Sequence, residues 1–275
     1  MKSANKVALV TGASAGMGKD IVKRLISEGF EVIAVARRLE QMDDLKSLGA
    51  NTIKMDITKE EDILNVVDIL KNKYGKIDVL MNNAGYTESG AVETIDIDTA
   101  RRQFEVNLFG LARITQLIIP MMREQGYGKI INTTSIGGKI FAPLSAWYMA
   151  SKHALEGWSD CLRMELSPFG IDVVIIEPGG IDTEFSDVMF DPLIKRGKGT
   201  VYEGITNKFV KMQKELIEKG EMSPASVITD LVIKAIKADK PKTRYAGGKY
   251  STTMLFVRKY FSDRTFEKLI SNMLK

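Results

Sequence analysis

The chain has 275 residues, of which 44% are hydrophobic and 27% charged, and its formal net charge is +4. This length and composition suit one soluble domain with a large apolar core. The charge is too small to indicate a nucleic-acid-binding protein without a basic stripe. A single histidine, His153, and a single cysteine, Cys161, exclude a zinc site, a Ser-His-Asp triad and an internal disulfide.

The sequence also contains no run of eighteen apolar residues, so we expect no membrane-spanning helix. The apolar run at residues 7–10 is too short for the core of a signal peptide. A single cysteine suits a reducing compartment. We therefore expect a cytoplasmic protein without a metal.

Short apolar runs alternate with longer amphipathic stretches along the chain. The runs predict strands at residues 7–10, 31–36, 52–55, 79–82, 129–133, 172–176 and 243–246. Several are continuously apolar, which is typical of parallel strands that are buried on both faces. Between them, helical patterns cover residues 19–28, 59–73 and 100–124, and a further pattern at 155–166 places Cys161 on a helix, where we expect it to be buried.

Repeated strand–helix–strand units predict a single α/β domain over residues 1–275. Its expected fold is a Rossmann-like doubly wound parallel sheet of about seven strands with helices on both faces. We expect a substrate lid at about residues 184–222 and a helical C-terminal extension at about 251–275.

The first predicted strand runs into a glycine-rich segment, Thr11-Gly12-Ala13-Ser14-Ala15-Gly16-Met17-Gly18. At such a junction glycines let the backbone approach a pyrophosphate, which the N-terminus of the next helix attracts. Glycines at this spacing also occur in ordinary tight turns. Their place at the first strand–helix junction of an alternating chain favours dinucleotide binding.

The second predicted strand ends in Ala36-Arg37-Arg38, without the acidic residue that binds a ribose 2′-hydroxyl in NAD sites. A guanidinium at this position pairs well with a 2′-phosphate. The alternative is a solvated pair of surface arginines. We expect NADP(H) to be preferred, with NAD(H) as the alternative cofactor.

Tyr148 and Lys152 lie four residues apart, so on a helix they share one face. A phenol has a pKa of roughly 10 and is a poor base at neutral pH, but a nearby ammonium favours the phenolate. We therefore expect Lys152 to lower the pKa of Tyr148, and Ser135 to bring a hydroxyl to the same oxygen. A Tyr-x-x-x-Lys pair alone is common on amphipathic helices, so this hypothesis depends on the motifs around it.

Four motifs follow one another: the 11–18 segment, Asn82-Asn83-Ala84-Gly85, Ser135 with Tyr148 and Lys152, and Pro178-Gly179-Gly180-Ile181-Asp182-Thr183. In this order the chain resembles the short-chain dehydrogenase/reductase family. The resemblance implies that Tyr148 is the general acid or base and that Ser135 orients the substrate oxygen. It also implies that Lys152 lowers the pKa of Tyr148 and holds the nicotinamide ribose, and that Asn107 supports a water-linked proton path behind Lys152.

The same resemblance implies a set of cofactor contacts along the carboxyl ends of the strands. Pro178, Gly179, Ile181 and Thr183 would hold the nicotinamide carboxamide. The remaining implied contacts are Gly12, Ser14, Ala15, Gly16, Met17, Gly18, Arg37, Arg38, Asp56, Ile57, Asn83, Ala84 and Gly85, together with Tyr148 and Lys152. Related NADP enzymes often carry a basic residue where this chain has Ala15, so phosphate selectivity would depend on Arg37, with Ser14 and Arg38 as helpers.

Substrate contacts are expected in the variable segments near the catalytic motif: Tyr86, Phe141, Trp147, Phe185 and Met189. Their apolar character favours a steroid-, retinoid- or lipid-like carbonyl or alcohol, although aromatic residues at these places also serve as ordinary core. The C-terminal segment mixes apolar and basic residues. It is expected to pack on the domain or a partner subunit, with peripheral membrane contact as the alternative.

A similar tail occurs in hydroxysteroid- and retinol-dehydrogenase-like members of the family. The resemblance also implies a homodimer or homotetramer. Overall the sequence predicts an NADP(H)-dependent carbonyl reductase or alcohol dehydrogenase. The alternatives are an NAD-dependent alcohol dehydrogenase of the same family and a non-catalytic dinucleotide-sensing protein.

Overall fold

A parallel sheet forms the centre of the protein in the computed structural model, which describes residues 5–183 and 185–273, with only the backbone for 185–188. This description does not include residues 1–4, 184 and 274–275. These residues belong to the predicted domain, lid and extension. The strands are β1 (Val7–Thr11), β2 (Glu31–Ala36), β3 (Asn51–Lys54), β4 (Val79–Asn82), β5 (Gly128–Thr133), β6 (Ile171–Pro178), β7 (Ile181–Asp182), β8 (Ser223–Pro224) and β9 (Arg244–Gly247).

Seven of these strands lie side by side in the order β3-β2-β1-β4-β5-β6-β9, and every neighbouring pair is parallel. The predicted fold class and all seven predicted strands are therefore confirmed. The chain leaves β1 toward one edge and returns at β4 toward the other. In doubly wound sheets ligands bind at this change of direction, beyond the carboxyl ends of the strands.

Helices cover both faces of the sheet. They are α1 (Gly16–Ser27), α2 (Asp43–Ser47), α3 (Glu60–Ile69), α4 (Ile97–Phe104), α5 (Leu111–Gln125), α6 (Ala146–Leu166), α7 (Phe185–Gly197), α8 (Glu203–Glu218), α9 (Ser226–Lys237), α10 (Ser251–Tyr260) and α11 (Asp263–Met273). Two π-helical turns were not predicted: Leu70–Tyr74 follows α3, and Glu105–Gly110 joins α4 to α5.

The alternation of side chains along β1 shows how the core is built. Ala8 and Val10 pack on one face with residues of α1 and α9, whereas Val7 and Leu9 pack on the other with residues of α3, α5 and α6. All four side chains are fully buried. Burial of a side chain of this size stabilises the fold by about 1.5–3 kcal/mol, so the sheet is held mainly by these two apolar layers.

The segments predicted as a lid and a C-terminal extension are helical. The lid helices α7 and α8 form their own apolar cluster around Leu193 and Phe209. In the extension, Phe266 of α11 is fully buried and packs against Met254 of α10. The extension thus packs on the rest of the chain, and its action on a membrane stays a prediction.

Two local expectations need correction. Strands β7 and β8 form a separate two-stranded sheet that the apolar pattern did not predict, because each has only two residues. The expectation that Cys161 is buried is wrong: it lies on the exposed side of α6. Among the described helices, none is long and apolar enough to cross a membrane.

Candidate active site

The glycine-rich turn between β1 and α1 is built so that the backbone itself lines the cleft. Gly12 and Gly16 have positive φ angles of 68° and 51°, which glycine adopts without strain. A Cβ on Gly18 would overlap the Gly12 carbonyl oxygen and the Asn83 side chain. The turn therefore leaves backbone N–H groups and the start of α1 at the cleft, an arrangement that suits a pyrophosphate.

Asn83 holds this turn against the end of β4. Its side-chain amide donates to the carbonyl oxygens of Thr11 at 3.1 Å and Gly12 at 3.3 Å. The Thr11 hydroxyl in turn accepts from the backbone N–H groups of Asn83 and Ala84, both at 3.0 Å. These bonds tie β1 to β4 at the point where the sheet changes direction.

A cleft of about 340 Å³ lies along this edge of the sheet. It reaches from Arg37 and Asp56 at one end to Tyr148 and Lys152 at the other. The cleft is narrow near Gly16, because a Cβ on Gly16 would lie 3.3 Å from Thr183 on the opposite wall. An elongated cleft with a glycine cradle at its middle fits a dinucleotide. Predicted contacts that line it are Gly12, Ser14, Ala15, Gly16, Met17, Arg37, Arg38, Asp56, Ile57, Asn83, Ala84, Gly85, Tyr148, Lys152 and Thr183.

Four other predicted contacts, Gly18, Pro178, Gly179 and Ile181, are absent from this lining. Gly18 instead packs beneath the turn, as its tight surroundings show. The lining includes further residues that no motif indicated: Val35, Ala36, Met55, Thr87, Val106, Thr133 and Thr134. Most of these are strand ends, and their approach depends on the pairing of strands distant in sequence.

Two arginines and one carboxylate stand at the β2 end of the cleft. Arg37 and Arg38 are exposed, and Arg38 donates to the Ser14 hydroxyl at 3.4 Å. Asp56 accepts from the Thr58 backbone N–H at 3.0 Å and from its hydroxyl at 2.8 Å. Partial burial opposes ionisation, but these bonds and the charge of Arg37 leave the pKa of Asp56 below its usual value.

The predicted catalytic residues come together where β5 meets α6. Ser135 follows β5, and its hydroxyl accepts from the Gly137 N–H at 3.0 Å, donates to the Pro178 carbonyl at 3.4 Å, and bonds with the Tyr148 side chain. Lys152 is buried, and its ammonium donates to the Thr133 carbonyl at 2.9 Å. Its nitrogen lies 5.9 Å from the centre of the Tyr148 ring.

The electrostatics of this trio differ from the expectation. Burial raises the pKa of Tyr148, and the hydrogen bond with Ser135 opposes that shift only in part. Burial also lowers the pKa of Lys152 to about 8, against the charge of Glu156. The expected lowering of the Tyr148 pKa is therefore wrong in sign, because desolvation disfavours the phenolate more strongly than its neighbours favour it.

Asn107 lies in the π-helical turn Glu105–Gly110 and is fully buried. Its side chain accepts from the Tyr86 N–H and donates to the Tyr86 carbonyl and the Ser151 hydroxyl, each at 3.0 Å. A Cβ on Gly85 would lie 3.3 Å from the Asn107 amide oxygen and 3.4 Å from the Lys152 nitrogen. Asn107 thus packs behind Lys152, while the proton path assigned to it stays a prediction.

The loop after β6 is fastened to the segment that follows β9. The Gly179 N–H donates to the Gly247 carbonyl at 2.7 Å, and the Gly180 N–H to the Lys249 carbonyl at 2.8 Å. Ile181 then pairs with Ser223 in the small sheet. These bonds fix the backbone that leads to Thr183 in the cleft.

The predicted substrate residues do not form one group. Tyr86 lines the cleft with Tyr148, whereas Phe141 lines a second groove between α8 and α11 and meets the Phe266 ring edge to face, with 5.0 Å between ring centres. Met189 packs on the apolar cluster of the lid helices, and the Trp147 Nε1 is buried without a hydrogen-bond partner. The Phe185 side chain lies outside the described atoms, so the substrate role of this set stays a prediction.

A clamp joins the lid to the loop after β4. Arg196 of α7 donates to the Glu88 carboxylate at 2.6 Å and to the Ser89 carbonyl at 3.0 Å. Both charged side chains are about one-fifth exposed. No motif predicted this pair, because its members lie 108 residues apart.

Comparison with known proteins agrees with the geometry of the site. The family model of the short chain dehydrogenases matches residues 6–192. The uncharacterized oxidoreductase YusZ of Bacillus subtilis is 34% identical, with 98% of each chain covered. A 3-ketodihydrosphingosine reductase of Bacteroides thetaiotaomicron is 34% identical over 66% of each chain.

Two solved structures share the fold. A short-chain dehydrogenase from Streptomyces avermitilis superimposes with a TM-score of 0.80 at 33% identity, covering 98% of this chain and 96% of that one. An actinorhodin polyketide ketoreductase solved with NADPH has a TM-score of 0.76 at 29% identity, with 90% and 96% covered. The chain belongs to the short-chain dehydrogenase/reductase family, whose members are oxidoreductases that use a nicotinamide dinucleotide.

Proposed function

We propose that the protein reduces the carbonyl group of an apolar substrate with NADPH, with Tyr148 as the general acid. The observation that carries this proposal is the meeting of Ser135, Tyr148 and Lys152 at one end of a cleft whose other end holds Arg37. A dehydrogenase needs a proton donor beside the hydride donor, and this arrangement provides both positions.

When bound, the nicotinamide would supply the hydride. Tyr148 would donate its phenolic proton to the substrate oxygen, which Ser135 would hold by a second hydrogen bond. Burial raises the pKa of Tyr148, so the phenol stays protonated at neutral pH, and this is the form that a general acid needs. The Lys152 ammonium would then stabilise the phenolate and hold the ribose hydroxyls.

Replacement of the phenol tests the mechanism directly. In Tyr148→Phe we expect kcat for ketone reduction to fall by about 100- to 10,000-fold, because the proton donor is removed. NADPH affinity, followed by fluorescence, should stay close to that of the wild type. Tyr260→Phe is a matched control, since Tyr260 is 63% exposed. Full activity in Tyr148→Phe would refute the mechanism.

The preference for NADP(H) depends on the arginines at the end of β2. Arg38 already bonds to Ser14, whereas Arg37 is exposed at the same end of the cleft and acts on Asp56 through its charge. In Arg37→Ala we expect the NADPH dissociation constant to rise about 10- to 100-fold, the range of a charge-assisted bond, with little change for NADH. Arg38→Ala is the matched control and should have a smaller effect.

The alternative within the same family is NAD-dependent oxidation of an alcohol. Tighter binding of NADH than of NADPH by the wild type would favour it and reject the role of Arg37. The same titrations in Arg37→Ala would show whether Arg37 discriminates at all.

For the substrate we propose a hydrophobic ketone or aldehyde of the steroid, retinoid or lipid type. Support comes from apolar residues of the cleft lining, among them Tyr86 and Val106, and from the relative named as a 3-ketodihydrosphingosine reductase. A screen of ketones and aldehydes that follows NADPH absorbance tests this class. Faster turnover of small polar carbonyls than of long-chain ketones would contradict it.

We keep two further expectations as proposals: a homodimer or homotetramer, and peripheral membrane contact through the extension. Phe256, Tyr260 and Phe261 form an exposed aromatic group beside Arg258 and Lys259. Aromatic and basic residues together suit the lipid–water interface. Flotation with liposomes tests the contact, and a protein that stays wholly in the unbound fraction would refute it. Light scattering tests the oligomer.

A further inference from the structure

A buried group of charges lies directly behind the catalytic residues, and no motif pointed to it. Glu156 of α6 and Glu177 of β6 are 3% and 4% exposed. Around them stand Arg244 of β9, Lys139 after β5, and Asp160 on the next turn of α6. Buried charges are costly unless they are well paired, so their arrangement calls for an explanation.

Glu156 connects three parts of the chain through one carboxylate. One oxygen accepts from the Thr134 hydroxyl at 2.6 Å. The other accepts from Arg244 Nε at 3.0 Å and pairs with the Lys139 ammonium at 2.9 Å. Thr134 is itself fixed, since its backbone N–H donates to the Ile176 carbonyl at 2.8 Å.

The two residues on either side of Thr134 are parts of the catalytic site. Thr133 accepts from Lys152, and Ser135 is the hydroxyl that bonds to Tyr148. Lys152 and Glu156 are one turn apart on α6, so both hydrogen-bond to the end of β5 from the same helix face. A Cβ on Gly138 would lie 2.8 Å from the Glu156 side chain, which shows how closely the loop after Ser135 packs on it.

We propose that Glu156 is a positioning residue that holds the Ser135 end of β5 in register with Tyr148 and Lys152, with the partly buried Arg244 as its counter-ion. This proposal rests on the proposed carbonyl reduction. Glu156 has no part in the cleft lining, and it acts through Thr134 and through its charge on Lys152.

The charge of Glu156 gives the proposal a second, independent consequence. Burial lowers the pKa of Lys152 to about 8, and the negative charge of Glu156 is the effect that opposes it. Tyr148 faces Lys152 from the same helix. Around Glu156 stand Asp160 on the same helix and, on neighbouring elements, Lys139, Arg244 and Glu177. Glu156 thereby favours the protonated form of Lys152.

The test uses four variants of the full chain, each checked for folding by thermal unfolding. Glu156→Gln keeps an acceptor for Thr134 but removes the charge, and Thr134→Val removes the hydroxyl but keeps the charge. Thr134→Ser restores the hydroxyl. Asp160→Asn is the matched control, because Asp160 also binds Arg244 at 2.6 Å but makes no bond to β5.

In Glu156→Gln we expect the pKa of Lys152, followed by NMR of ¹³Cε-labelled lysine and assigned with Lys152→Arg, to fall below the wild-type value. The high-pH decline of kcat should move to lower pH by the same amount. Asp160→Asn should leave both values unchanged. An unchanged Lys152 pKa in Glu156→Gln would overturn the electrostatic part of the proposal.

In Thr134→Val we expect kcat to fall about 10- to 100-fold, because small displacements of reacting groups have effects of this size. Thr134→Ser should recover most of the activity. An equal fall in kcat in Thr134→Val and Asp160→Asn, or no fall in Thr134→Val, would show that Glu156 does not position the catalytic residues. The NMR titration is independent of turnover, so it still tests Glu156 if Tyr148→Phe shows that the proposed reaction is wrong.

Discussion

The two halves of the sheet, one ending at the β3 edge and the other at the β9 edge, form the site by different physical means. They are called here the β3 side and the β9 side. On the β3 side, beside β1 and β2, the backbone makes the site: glycines bring carbonyl and N–H groups together and leave no room for a Cβ. On the β9 side, beside β5 and β6, side chains make it. Of the residues described, the buried charged ones are Lys152, Glu156 and Glu177, and all three lie on that side.

The difference shows which kind of change each side tolerates. A cleft made by backbone atoms depends on the absence of volume, so any added carbon disturbs it. A centre held by buried charges depends on protonation and pairing, so pH and isosteric charge changes disturb it. Four predictions separate these two dependences, and they are ordered by the size of the expected effect.

The largest effect is expected for the pH dependence of stability on the β9 side. Burial and the neighbouring Glu156 raise the pKa of Glu177 from 4.5 to about 7. The folded state then binds more protons than the unfolded state between these two values, so this group's contribution to stability falls as pH rises from about 4.5 to about 7. Glutamine does not titrate, so the variant Glu177→Gln does not lose this stability as pH rises.

The free energy of unfolding of Glu177→Gln minus that of the wild type should therefore be about 2–3 kcal/mol higher at pH 8 than at pH 5. Urea unfolding at both pH values measures this difference. Glu165, which is exposed on α6, provides the control Glu165→Gln. A constant difference between Glu177→Gln and wild type at the two pH values would contradict the raised pKa.

The second prediction concerns volume on the β3 side. A Cβ on Gly18 would meet the backbone of Gly12, which cannot move away without opening the turn. In Gly18→Ala we expect the free energy of unfolding to fall by about 1–3 kcal/mol, the usual cost of overpacking. NADPH binding should weaken as well. Unchanged urea unfolding and unchanged NADPH titration together would show that this turn tolerates added volume.

The third prediction tests the clamp between the lid and the rest of the chain. Arg196→Ala removes the bonds to Glu88 and Ser89. We expect KM for the carbonyl substrate to rise about fivefold, equivalent to about 1 kcal/mol, with the NADPH dissociation constant unchanged. Arg101→Ala, which breaks an exposed pair with Asp98, is the control. An equal rise in KM in Arg196→Ala and Arg101→Ala would show that the Arg196 clamp makes no specific contribution to substrate binding.

The smallest effect is expected for Gly157, where volume should be harmless. Gly157 lies inside α6, and a Cβ there would meet no atom within 4 Å. Gly157→Ala should raise the free energy of unfolding by about 0.5–1 kcal/mol, because alanine loses less conformational freedom in a helix than glycine. A destabilised Gly157→Ala would show that the cost of Gly18→Ala is not specific to its crowded position.

Much of the β3 side could be predicted from the sequence, because its determinants are local. Continuous apolar runs mark the buried strands, and the glycines of the first turn lie next to one another in the chain. Arg37, Arg38 and Asp56 line the cleft as these positions predict, whereas Val35, Ala36 and Met55 join them through strand pairing that no motif indicates. The structure extended β6 to Pro178 and otherwise moved the predicted strand ends by one residue.

The β9 side could not be predicted in the same way, because its contacts are made by residues distant in sequence. Arg244 lies 88 residues from Glu156, and each of them is unremarkable in its own segment. The raised pKa of Tyr148 also arises from burial, and the spacing of residues in the sequence does not show how deeply a side chain is buried. The exposed side of α6 that carries Cys161 depends on which helix face meets the sheet.

The π-helical turn at Glu105–Gly110 has a consequence for how the chain tolerates length changes. Such a turn holds one residue more than a regular helical turn. Deleting a residue within it would give a more regular helix joining α4 to α5, and it would remove the local widening of the helix that places Asn107. Asn107 would then lose its bonds to Tyr86 and Ser151. We expect a one-residue deletion here to make the helix more regular and the enzyme inactive, so this irregular turn is a requirement of the site.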